Sequence, residues 1–145
     1  MPIYQVVTVG VDLGKTQRDR LAAGLTEIHH DETQAPEPFI RVVFQPLPLG
    51  LAYTAGRVEP SFLLSCGIRA GRSEATRHSI LRRCYDLVRD VTDLPPTQIF
   101  VAAPELLSSW LLEAGLILPE PNPEAERTWV QELERLYPGQ LGDVA

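Results

Sequence analysis

The 145-residue chain carries a formal charge of −6, with 44% hydrophobic and 22% charged residues. That acidic balance lacks the basic surface by which nucleic-acid binders neutralise phosphate. No run reaches the roughly 18 apolar residues of a membrane span, and MPIYQVVTVG has no basic stretch ahead of an apolar one, as a secretory signal would. One compact cytoplasmic domain with neither nucleic-acid nor membrane partners is the expectation.

The chain opens with IYQVVTV, a β-branched and aromatic run over Ile3–Val9 that reads as a strand. Gly10 and Gly14 bracket a turn, and Thr16 with Asp19 three residues on gives an N-cap pattern for a helix. Leu21, Leu25 and Ile28 keep the spacing of a buried stripe, with Ala22 and His29 one row over. Pro36 and Pro38 close this element, and FIRVVFQ follows as a strand with Ile40, Val42 and Phe44 on one face. The turn-rich PLPLGLAYTAG then reads as a hairpin.

The second half repeats the plan. SFLLSCGI (Ser61–Ile68) is a strand, and Ser73 caps a helix whose first turn holds Glu74, where the macrodipole favours an acid. Ile80, Leu81, Cys84, Leu87, Val88 and Val91 form its apolar face, Pro95 and Pro96 stop it, and QIFVAA (Gln98–Ala103) is the return strand. A short helix is expected over 108–114, ended by Gly115, and another in AERTWVQELERLY. Tandem β-α-β units at about 2–50 and 60–103 predict an α/β (α+β two-layer) fold, a four-stranded mixed sheet with two helices on one face. The bare face of such a sheet calls for self-association.

Cys66 and Cys84 stand in no CxxC or metal-type spacing, so packed reduced thiols are expected. No cluster of His, Cys, Asp and Glu has ligand spacing, and neither a metal nor a cofactor is expected.

Several segments together resemble a known family. GIRAGRSEATRHSIL resembles the strand-to-helix turn of 4-oxalocrotonate tautomerase, a β-α-β enzyme with an amino-terminal proline, and PIYQVV follows Met1 directly. Two such units in a chain of this length are most similar to the cis-3-chloroacrylic acid dehalogenase family of the tautomerase superfamily. The resemblance covers roughly residues 2–123. It implies a homotrimer of tautomerase fold, with domain 1–118 and a Pro-rich tail over 119–145. It also implies that Pro2, freed by loss of Met1, is the catalytic amine, that His29 in TEIHH donates to substrate, and that Arg69 and Arg72 in IRAGRS bind its carboxylate. Glu113 in LLEAG would activate water. The family's tyrosine, which holds that water, falls on Ala102, so the hydrolytic branch lacks a group.

The residues themselves bear this chemistry. A terminal secondary amine titrates near neutrality and serves as a base. Arg69 and Arg72 flank a helix start, and guanidinium groups pair bidentately with carboxylates. Taken singly, each has a plainer role: Pro2 permits methionine removal, the arginines are solvated, His29 is structural, and Glu113 is an exposed acid ending a helix. His30 and His78 read as solvated, and Tyr4 as a core or subunit contact. Three functions stay open. The first is a tautomerase on enols of 2-oxo acids, with Pro2 as base. The second is a cis-3-haloacrylic acid dehalogenase or hydratase with Pro2 as acid and Glu113 on water. The third is a non-enzymatic trimeric binding protein on the same scaffold.

Overall fold

The computed structural model describes residues 2–142. In chain order the elements are β1 (Ile3–Val9), α1 (Lys15–Thr33), β2 (Arg41–Leu47), β3 (Tyr53–Thr54), β4 (Arg57–Val58) and β5 (Ser61–Arg69). There follow α2 (Glu74–Thr92), β6 (Ile99–Ala102), β7 (Glu105–Leu106), β8 (Leu112–Glu113), β9 (Leu116–Ile117) and α3 (Pro123–Leu136). The main sheet runs β2-β1-β5-β6, with β7 pairing with β5 beyond the end of β6. β1 is parallel to β2 and β5 to β6, while β1 and β5 run antiparallel where the two units meet. The expected two-layer architecture of tandem β-α-β units is therefore present.

Alternation decides the layers. Tyr4, Val6, Phe62, Leu64 and Cys66 point inward and pack on Leu21, Leu25, Ile80, Cys84 and Val88 of the two helices, which lie side by side. The opposite face stays open, with Ile3, Val43, Leu63 and Phe100 at 41%, 50%, 41% and 62% exposure. Both cysteines are buried free thiols, pushed up to about 12 by burial.

Two local expectations are corrected. α1 starts at Lys15 with Gly14 as its N-cap, so Thr16 lies inside the first turn. The Gln17 side chain accepts from the Gly14 N–H at 2.9 Å, and Asp19 is drawn instead to Lys15. The helix expected over 108–114 is a single 3-10 turn at Ser108–Trp110 followed by the hairpin β8–β9. Ala114 and Gly115 both take positive φ, 49° and 82°, which closes a two-residue hairpin in place of a helix end. The hairpin expected in 46–56 forms as β3–β4, and Ser73 caps α2 by accepting from the Thr76 N–H.

Candidate active site

The sheet register brings the start of the chain to the end of β5. Ile3 opposes Gly67 across the antiparallel pair, which sets Pro2 beside Ile68 and one step from Arg69. α1 runs back along the sheet, so its last turns, with His29 and Thr33, return to the start of β1. Gly71, at φ 103°, turns the chain from β5 into α2 in a conformation that favours glycine. Arg69 and Arg72 thus stand on either side of one turn, at the positive end of α2.

These residues share one small cavity of about 30 Å³, lined by Pro2, His29, Arg69 and Arg72 and walled by Ala35, Pro36, Phe39, Ile68, Leu118 and Trp129. Pro2 is buried, and its carbonyl accepts from the Arg41 N–H at 3.2 Å. His29 is 3% exposed, with Nδ1 2.9 Å from the Tyr4 hydroxyl. Burial, then the neighbouring cations Arg72 and Arg69, lower its pKa to about 3, so the imidazole is neutral at physiological pH. Burial, then the nearby thiols, hold the Tyr4 hydroxyl far above its ordinary range, so it stays protonated.

Arg69 is 9% exposed and donates to the Pro119 carbonyl at 2.8 Å and to Glu126. Arg72 donates to the Thr33 carbonyl at 3.2 Å, satisfying an acceptor at the end of α1, and its other terminal nitrogen stands 3.9 Å from Glu126. Both arginines therefore stand within salt-bridge reach of the chain's own carboxylate.

Glu113 falls outside that lining. It projects from β8 toward Arg41, at 3.3 Å, close enough for attraction though its buried Oε1 makes no hydrogen bond. Burial pushes its carboxyl up, against the pull of Arg41. The Arg41 backbone N–H in turn holds the Pro2 carbonyl.

Ala102 stands apart from the cavity as well. Ser65 opposes both Gln5 and Ala102, so Ala102 lies on the open face of the sheet, while Val101 and Ala103 pack into the core. The pleat thus aims Ala102 away from the helices.

Glu126, Phe39, Leu118 and Trp129 are the lining residues that sequence reasoning missed. The helix expected in the tail forms as α3 and carries Glu126, Trp129, Val130 and Leu133 at i, i+3, i+4 and i+7. An acid in register with an apolar stripe was the available signal. Among the described residues no group of three His, Cys, Asp or Glu side chains could hold a metal ion.

The chain belongs to the tautomerase family described as "Putative oxalocrotonate tautomerase enzyme", which matches residues 1–134. Its likeness extends to solved structures. The native Ps01740 crystal structure shares 40% identity, covering 77% of this chain and 99% of that one, with a TM-score of 0.75. N1, a member of the cis-3-chloroacrylic acid dehalogenase (cis-CaaD) family, shares 29% identity over 92% of this chain and 99% of its own, with a TM-score of 0.79. A native fused 4-OT at 20% identity covers 79% of this chain and 94% of its own at a TM-score of 0.72, a likeness of fold. None of the curated proteins matches the chain.

Proposed function

We propose that the chain is a tautomerase that moves a proton between oxygen and carbon in enol forms of 2-oxo acids, with Pro2 as general base once Met1 is removed. The observation that carries this reading is the shared cavity: the terminal proline, two arginines and a neutral histidine line one apolar-walled space. The secondary amine takes the enol hydroxyl proton and returns one to carbon. Neighbouring cations favour the uncharged amine, as a base requires. Arg72 holds the carboxylate, with the charge of Arg69, paired with Glu126, beside it. With the Tyr4 hydroxyl donating to Nδ1, His29 keeps its proton on Nε2 and donates to the substrate oxygen. Tyr4 is then a positioning residue.

A second reading is supported by N1 and its dehalogenase family. In it Pro2 is cationic, and Glu113, with its raised pKa and buried oxygen, accepts a proton from water. Glu113 outside the cavity lining favours the first reading, which needs no activated water.

The test begins with intact mass, since an attached Met1 leaves Pro2 as an amide. Pro2→Ala is then expected to lower turnover of phenylenolpyruvate by about a hundredfold or more, while halide release from cis-3-chloroacrylate by the unmodified protein stays weak. Retention of most activity in folded Pro2→Ala refutes the base, and efficient halide release favours the second reading.

A further inference from the structure

The cavity of Pro2 contains two guanidinium groups and one carboxylate, all from this chain. His29 is neutral there, and the remaining wall is apolar. Two positive charges against one negative leave one unit of positive charge to be met by whatever binds.

We propose that Glu126 determines substrate specificity by charge: it occupies Arg69 and leaves the site fitted to a single carboxylate bearing an apolar tail, against dicarboxylates. This inference rests on the reading of the cavity as a substrate site.

The geometry separates the two arginines. Arg69 is spent, with one nitrogen on the Pro119 carbonyl and another on Glu126, and both partners of that pair are largely buried. Arg72 retains capacity: its second terminal nitrogen is 3.9 Å from Glu126, beyond hydrogen-bond length. It also faces both the small cavity and an adjoining groove of about 600 Å³, so it is the cation that an entering acid meets. One carboxylate on Arg72 balances the site. Phe39, Trp129 and Leu118, which wall the small cavity, make an apolar cluster and offer a carboxylate no charged partner. A second carboxylate in that space is desolvated without a counter-charge and repelled by Glu126. Arg127 lines only the outer groove and not the small cavity.

Glu126 cannot be replaced in this role by its helical neighbours. It lies three residues before Trp129, so the packing of that indole on Phe39 fixes the carboxylate against Arg69.

Calorimetric titration of the full chain with hexanoate and with adipate tests this, since the two differ only in the terminal carboxylate and neither needs the proline chemistry. The wild type is expected to bind hexanoate at least about tenfold more tightly than adipate. Glu126→Gln, which keeps the shape and removes the charge, is expected to narrow that gap by about tenfold or more, chiefly through tighter adipate. Glu126→Leu supplies the same measurement should the glutamine variant not fold. Adipate binding as tightly as hexanoate to the wild type overturns the proposal, as does an unchanged gap in either folded variant. Charge selectivity without turnover of phenylenolpyruvate leaves this proposal standing and sinks the tautomerase reading; turnover with an unchanged gap does the reverse.

Discussion

His29 shows how far a residue's neighbours set its chemistry. It is enclosed by Tyr4 and Cys66 from the sheet and by Arg72 and Arg69 from the turn before α2 and the end of β5. Unfolded, it takes up a proton near pH 6.5; folded, it resists until about 3. The unfolded state therefore binds more protons across that window, and stability falls as the pH drops from 6.5 toward 3. The slope from this residue is at most about 1.4 kcal/mol per pH unit. Urea unfolding at a series of pH values is expected to show that acid-side loss, and His29→Asn to flatten it. A variant with the wild-type slope would place the acid sensitivity elsewhere.

At the scale of elements, α3 is docked by a small cluster of its own. Phe39, Leu118, Trp129 and Leu133 pack together apart from the core under the sheet. Asn122 caps the helix by accepting from the Ala125 N–H at 2.9 Å, and the Arg69–Glu126 pair ties it to β5. Such a helix opens without the core following it. Trp129→Ala removes the largest side chain of the cluster, a loss of about 3 kcal/mol for a buried Trp. Hydrogen exchange is expected to quicken across residues 123–136 in that variant, while α1 and α2 keep their protection. Equal loss of protection in all three helices would show that α3 is an integral part of the core.

For the molecule as a whole, the open sheet face is the feature that a lone chain does not explain. Val7, Leu63 and Phe100 stand in one row across β1, β5 and β6, and Leu63 and Phe100 are exposed. A patch of this kind marks a contact surface, and we propose that it forms the centre of a homotrimer. Phe100→Asp places a charge in that row. Sedimentation is expected to give an assembly for the wild type and a 16.1 kDa species for the variant. A wild-type monomer at micromolar concentration overturns the trimer. Ala102 shares this face, so it meets a Pro2 cavity only if another copy supplies the cavity.

The sequence by itself determined the strands, the two long helices and their pairing plan, because each rests on local periodicity: β1 reads as Ile3–Val9 and the cap of α2 as Ser73 with no distant partner needed. Its resemblance to a known family also singled out Pro2, His29, Arg69, Arg72 and Glu113, residues whose types taken singly leave plainer roles open. Only the tertiary structure decided what stands beside them. Gln17 reaches back to Gly14 and moves a helix start, and the positive φ of Ala114 and Gly115 makes a hairpin where a helix was expected. Glu126 enters the cavity from 57 residues beyond Arg69, Tyr4 meets His29 across 25, and Ala102 turns outward by the pleat. Spacing along a chain fixes which face a side chain takes, but a contact between distant segments depends on how whole elements dock, and the burial that drives docking is non-directional and carries no local signature.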